Sequence, residues 1–145
     1  MTWPASVSVY LRLRVASEAY AIPVQDVTEV TELGEVTTVP GSLPEILGVR
    51  NLRGRVLPVI DLARLLGIAR AVPPARLLVA EAGGVHAGFA IDAVSDVGEM
   101  EDPTEETESE LLTGATLAGG DLIGVIDVGR VLASLEERAR DRSRR

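Results

Sequence analysis

The sequence predicts a mainly β protein made of two small, similar five-stranded barrels. Three observations lead to this prediction. Short segments throughout the 145-residue chain alternate apolar and polar residues or are rich in β-branched residues. Helical patterns are few, and they are short until the C-terminal end. The order of segments also occurs twice, at an offset of 66 or 67 residues, so both halves are expected to share one architecture.

Strands are expected in both halves of the chain. Turn residues at 17–19 and the glycine pair at 83–84 join neighbouring strands into hairpins. Pro23 and Pro58 cannot donate a ladder hydrogen bond, so they are expected at edges, bulges or strand ends. The predicted strands are SVSVYLRLRV (6–15), YAIPVQDVTEV (20–30), GRVLPVIDL (54–62), ARLLVAEA (75–82), VHAGFAIDAVSDV (85–97) and DLIGVIDV (121–128).

Three helices are expected. SLPEILG (42–48) has the serine–glutamate spacing of a capping box, with Gly48 as its stop. DLARLLG (61–67) has Asp61 as an N-cap and a glycine as a C-cap. A longer helix begins near Asp127, and its charged end is expected to fray.

The repeat is visible in the sequence itself. VIDLARLL (59–66) recurs as VIDVGRVL (125–132), and VQDVTEVTEL (24–33) recurs as IDAVSDVGEM (91–100). Two copies are fewer than the roughly three that a solenoid needs. Closure into a barrel removes the exposed edges of short strands, so two barrels of about five strands each are the favoured arrangement.

One loop differs between the copies. RNLRGR (50–55) places three arginines at a hairpin-like position, whereas the equivalent segment is TLAGGD (116–121). A feature that the fold requires should recur in both copies, so the arginines are candidates for function. Arg53 and Gly54 fit a two-residue turn, in which the glycine makes the turn and the arginine is presented by it. Arg50 and Arg55 either contribute to function together with Arg53 or only keep the hairpin soluble.

Composition excludes several classes of protein. The formal net charge is −8, whereas a nucleic-acid-binding face must be basic to displace counterions from phosphates. The chain has no cysteine and one histidine, which excludes disulfide frameworks, thiolate chemistry and histidine-rich metal sites. No apolar run approaches the roughly 20 residues of a membrane helix, and the first residues lack the pattern of a secretory signal. A cytoplasmic protein without metal or cofactor is expected.

No catalytic group of residues is predicted. His86 lies in a predicted strand and is the only candidate for the base of a triad. Asp61 and Asp127 recur at predicted helix starts, where capping explains them better than paired-carboxylate catalysis. The acidic segment EMEDPTEETESE (99–110) lacks the glycine of a calcium loop. It is expected to be a solvated connection or, alternatively, to steer a basic partner by its charge.

Glu29 is a further candidate. Along a regular strand, Val27 and Glu29 share one face, and an apolar residue beside an acidic one indicates a partly wet rim. The repeat retains the pair as Val94 and Asp96, which favours a structural role.

Taken together, these segments resemble a known family. YAIPVQDVTEV, VPGSLPEILGVRNLRGRVLPVIDLARLLG, AGFAIDAVSDV and GVIDVGRVL are similar to the CheW family of bacterial chemotaxis coupling proteins over residues 7–135. The resemblance implies a single domain of two intertwined, five-stranded, SH3-like barrels, followed by a charged helix end or tail at 136–145. It also implies a set of partner-binding residues. These are Val27, Glu29, Asn51, Arg53 and Gly54.

The resemblance implies an adaptor and not an enzyme. Its expected partners are the regulatory domain of a chemotaxis histidine kinase and the cytoplasmic tip of a methyl-accepting chemoreceptor. The protein is expected to be monomeric when unassembled and to join membrane-associated receptor arrays without inserting into the membrane. The rival hypothesis is a ligand-binding or enzymatic small β-barrel, which predicts a concave polar pocket with convergent titratable groups.

Overall fold

This computed structural model of the protein describes residues 6–103 and 109–144. It contains ten strands, two α-helices and one 3₁₀ helix at Val24–Asp26. The strands are β1 (Val7–Val15), β2 (Glu18–Pro23), β3 (Val27–Glu32), β4 (Ile46–Leu52), β5 (Arg55–Asp61), β6 (Arg76–Ala82), β7 (Val85–Ile91), β8 (Ala93–Glu101), β9 (Leu112–Ala118) and β10 (Asp121–Ile126). The helices are α1 (Leu62–Leu66) and α2 (Val128–Ser143).

The strands form two five-stranded sheets. One sheet, named here the terminal sheet, has the order β8-β1-β2-β10-β9. The other, the central sheet, has the order β3-β6-β7-β5-β4. The prediction of a mainly β fold with two five-stranded units is confirmed. Strands β4 and β9 were not predicted, since no predicted strand segment covered them.

Each sheet combines strands from both sequence copies. The hairpin β1–β2 of the first copy pairs with β8 and β10 of the second, whereas the hairpin β6–β7 of the second copy pairs with β3 and β5 of the first. The one parallel pairing in each sheet is also equivalent, β10 with β2 and β5 with β7. The two units are therefore intertwined by a mutual exchange of hairpins, because neither copy supplies a complete sheet.

The buried residues form one large core and two smaller ones. Alternation along β6 separates them, since Leu78 and Ala80 belong to the large core whereas Leu77 and Val79 belong to the small core of the central sheet. The large core also contains Leu13 of the terminal sheet and therefore joins the two sheets. Burial on both faces of β6 explains its continuous apolar sequence.

The predicted helix at 42–48 is wrong. Turns occupy this segment, and β4 begins at Ile46. The residues of the expected capping box have other partners, since the Ser42 hydroxyl donates to the Val39 carbonyl at 2.8 Å and Glu45 pairs with Arg138. Gly48 does not end a helix. It lies at a register shift in the β4–β5 ladder with φ 152°.

The caps of both α-helices agree with the predictions. The Asp61 side chain accepts a hydrogen bond from the Arg64 amide, and Gly67 ends α1 with φ 74°. The Asp127 side chain accepts from the Arg130 amide at 3.0 Å at the start of α2. Capping therefore accounts for both recurring aspartates. Within residues 6–103 and 109–144, neither helix has the length and apolar character needed to cross a bilayer.

Candidate functional site

Arg53 and Gly54 form the two-residue turn between β4 and β5. Both residues have positive φ, 51° and 84°, the pattern of a type I′ turn whose twist matches that of the strands. Leu52 and Arg55 pair on either side of it. The Asn51 Oδ1 accepts a hydrogen bond from the Gly54 amide at 2.9 Å, so the asparagine side chain stabilises the turn.

Arg53 occupies a backbone conformation that favours glycine. It is one of two non-glycine residues with positive φ in the described part of the chain, the other being Ala16. The equivalent turn of the second copy is Gly119–Gly120, with φ values of 59° and 86°. An L-residue is strained at this position, where a glycine is not. The turn itself therefore does not require the arginine.

The Arg53 guanidinium forms an ion pair with Glu29 of β3. The arginine side chain is 68% exposed and that of the glutamate 27%. The hydrogen bond to Glu29, more than its charge, raises the pKa of Arg53 above its usual value. Two of the predicted partner-binding residues, one from the hairpin turn and one from β3, thus meet at the surface. They border a hollow whose other lining residues are Thr28, Leu52, Arg55, Leu57 and Val79.

A β-bulge places Val27 and Glu29 on different surfaces. Val27 pairs with Ala80 and Glu29 with Val79, so Thr28 is the extra residue. Val27 packs against the large core, whereas Glu29 borders the hollow that contains Val79. The prediction that Val27 and Glu29 share a face is therefore wrong, because it assumed a regular strand.

The second copy has the same bulge with a different ion pair. Arg12 pairs with Asp96 and Leu13 with Val94, so one residue of β8 is again extra. Asp96 is the equivalent of Glu29, and it accepts from the Arg12 Nε at 2.6 Å. The bulge and its acidic residue recur, but the arginine comes from the neighbouring strand in this copy and from the hairpin turn in the other.

The two arginines beside Arg53 have different environments. The Arg50 guanidinium lies against Gly34, where an added Cβ would be 2.8 Å from Nε. Arg50 therefore packs on the connection after β3. Arg55 is exposed at the first position of β5.

An exposed apolar residue beside the turn was missed by the sequence reasoning. Val56 is 62% exposed and pairs across the hairpin with Asn51. Its equivalent, Leu122, is 62% exposed and pairs with Leu117, which is 68% exposed. Their exposure could have been predicted from their position within a few residues of a tight hairpin turn, because strand residues next to such a turn project beyond the core.

The other sequence candidates do not join this site. His86 Nε2 lies 3.2 Å from Glu81 Oε2 across the β6–β7 hairpin. Within residues 6–103 and 109–144, no group of three or more histidine, cysteine, aspartate or glutamate residues is placed to hold a metal ion. Residues 104–108 of the predicted acidic connection lie outside the described residues.

Comparison with known proteins gives consistent similarities. The model of the CheW-like domain family matches residues 9–136 of this chain. The chemotaxis protein CheW of Rhizobium meliloti is 30% identical, over 89% of this chain and 90% of the relative. Protein FrzA of Myxococcus xanthus is 33% identical, over 87% of this chain and 86% of the relative. The crystal structure of scaffolding protein TtCheW from Thermoanaerobacter tengcongensis superposes with a TM-score of 0.77 at 27% identity, covering 85% of this chain and 90% of that chain.

Proposed function

The chain belongs to the CheW-like domain family, and on that premise we propose that it is a non-catalytic adaptor that couples chemoreceptors to a chemotaxis histidine kinase. The single observation that carries this proposal is the match to the CheW-like domain family, which spans residues 9–136. The similarity to a chemotaxis protein of Rhizobium meliloti and to a scaffolding protein of Thermoanaerobacter tengcongensis supports the same role.

The proposed partners are the regulatory domain of the kinase and the cytoplasmic tip of the receptor. A receptor tip is a helical hairpin, so its contact is of the helix-in-groove kind, whereas the kinase contact is between barrels. The adaptor is monomeric before assembly and works in the cytoplasm, where it joins receptor arrays at the membrane. The pathway that it serves is either chemotaxis or a related chemosensory system.

The Arg53 turn supplies the partner-binding anchor in this proposal. Transient signalling interfaces are small, with a total buried area at or below about 1,200 Å², so a few residues carry most of the affinity. The Arg53 guanidinium is largely exposed, and its ion pair with Glu29 fixes its orientation in the unbound protein. Binding therefore costs less side-chain conformational entropy. Asn51 and Gly54 set the turn, and Val27 fixes the start of β3 against the core.

The test is capture of partners by the tagged full-length chain from a native lysate, followed by direct binding to the purified kinase regulatory domain and receptor hairpin. The expected result is recovery of a histidine kinase together with a chemoreceptor, and saturable binding to both purified fragments. Absence of binding to both fragments overturns the adaptor function. Turnover of a small molecule by the captured protein supports the rival enzymatic barrel instead.

A further inference from the structure

The C-terminal part of α2 has no counterpart in the other copy. α1 follows Asp61 and ends at Gly67, which adopts the left-handed conformation typical of a C-cap. α2 follows the equivalent Asp127, but Ala133 stands where α1 has its terminating glycine, and the helix continues to Ser143. Residues 133–143 are named here the extension. Because only one copy has it, the architecture that the two copies share does not require it.

Two arginines connect the exposed end of the extension to the loop before β4. The buried side chains of α2 end at Leu135, and residues 136–143 are exposed. Arg138 lies 2.5 Å from Glu45 Oε1, and Arg142 donates to the Ser42 carbonyl at 2.9 Å. Among the described residues, these two arginines make the only side-chain hydrogen bonds between 136–143 and the rest of the protein. Both of these hydrogen bonds therefore join the far end of the helix to one loop, residues 42–45.

Glu45 connects this loop to the hairpin that presents Arg53. Its side chain is only 10% exposed, so it depends on Arg138 for compensation of its charge. Its carbonyl accepts a hydrogen bond from the Asp61 amide at 2.7 Å, at the end of β5. The next residue, Ile46, begins β4 and pairs with Ile60. The contact with Arg138 thus lies at the base of the β4–β5 hairpin, and Arg53 lies at its tip.

We propose that the extension is a clasp that fixes the β4–β5 hairpin and thereby regulates partner binding. With Arg138 and Arg142 engaged, the connection between β3 and β4 is held, and the tip of the hairpin presents Arg53 to Glu29. With the clasp released, the hairpin is looser and Arg53 is a poorer anchor. Because Arg138 is 47% exposed, salt weakens the clasp. The regulatory role rests on the proposed adaptor function, whereas the physical coupling of extension and hairpin does not.

Hydrogen exchange of the full-length protein tests the coupling. The variants are Arg138→Gln, Glu45→Gln, both together, and Arg140→Gln as the matched control, because Arg140 lies on the same exposed extension. We expect Arg138→Gln to accelerate exchange at least about tenfold at residues 136–143 and measurably at 46–55. The double variant should exchange more slowly than Arg138→Gln alone, because it does not leave a nearly buried Glu45 carboxylate without its partner. The control should match the wild type. Unchanged exchange at 46–55 in Arg138→Gln overturns the clasp.

Affinity for the kinase regulatory domain and the receptor hairpin tests the regulatory role. We expect Arg138→Gln to bind more weakly than the wild type, and Arg140→Gln to bind equally well. The regulatory role is overturned if Arg138→Gln binds as tightly as the wild type although hydrogen exchange shows that its β4–β5 hairpin is less stable. If the wild type binds neither fragment, the adaptor function fails, while the exchange result still decides whether the clasp exists.

Discussion

Arg53 in the β4–β5 turn is paired with Glu29 in β3, although the equivalent turn residue in the other copy is Gly119. The acidic equivalent of Glu29 is Asp96, and it pairs instead with Arg12 of its neighbouring strand. The same barrel architecture is therefore completed with and without an arginine in the turn. This internal comparison supports the proposal that Arg53 serves partner binding and is not needed for the fold.

Replacing Arg53 by glycine should separate folding from binding. Glycine adopts the φ of 51° without strain, as Gly119 does in the other copy. We expect Arg53→Gly to keep or raise the thermal midpoint while weakening partner binding by at least about tenfold, the loss typical of an interface anchor. Thermal unfolding and titration calorimetry on the same preparation measure both effects. A lowered midpoint with unchanged affinity would contradict the assignment.

Asn51 should act on the turn and not on the partner directly. Loss of the 2.9 Å hydrogen bond to the Gly54 amide in Asn51→Ala is expected to lower the free energy of unfolding by about 1 kcal/mol. The matched control is Leu117→Ala, which changes the equivalent position of the second copy. Urea unfolding measures both variants. Equal stability of Asn51→Ala and the wild type would show that the hydrogen bond does not hold the turn.

Gly48 is required by close packing of the backbone. A Cβ at this position would lie 2.1 Å from the Thr37 carbonyl oxygen, and its φ of 152° is rare for residues with a side chain. We expect Gly48→Ala to cost about 3 kcal/mol or more. Gly98→Ala is the control, because open space surrounds that glycine in β8. A Gly48→Ala variant as stable as the control would contradict the close approach.

Tyr10 should make the stability depend on alkaline pH. Burial, followed by the hydrogen bond to Asp102, raises the pKa of Tyr10 to about 12. The folded state holds the phenol proton more tightly than the unfolded state, in which the pKa is about 10. The stabilisation is therefore complete below about pH 10 and is lost as the pH rises to about 12. Urea midpoints should fall more steeply in this window for the wild type than for Tyr10→Phe, and parallel curves would contradict the shift.

Local signals in the sequence predicted the repeat, both helix caps and the unusual arginine. Asp61, Asp127 and Gly67 act through neighbours within a few residues, so their roles follow from spacing alone. The repeat predicted two equivalent sheets. It did not predict the exchange of hairpins, because the hairpin segments 9–24 and 76–91 have equal length and could pair within either copy.

Distant contacts explain the errors. Ser42 and Glu45 have capping-box spacing, but the partner of Glu45 is Arg138, 93 residues away. Tertiary pairing of β4 with β5 then overrides the local helical preference. The bulge at Thr28 was also not predicted, since the alternation of residues along β3 is the same with and without it.

The most direct test of the account is the affinity of a charge-reversed pair, Glu29→Arg with Arg53→Glu, for the kinase regulatory domain and the receptor hairpin. Arg53→Glu alone places two carboxylates together and should lower both the thermal midpoint and the affinity. The double variant restores the intramolecular ion pair, so we expect its midpoint to recover. If Arg53 is the anchor for the partner, binding should remain lost in the double variant. Recovery of binding together with the midpoint would contradict this account and show that the pair serves the fold alone.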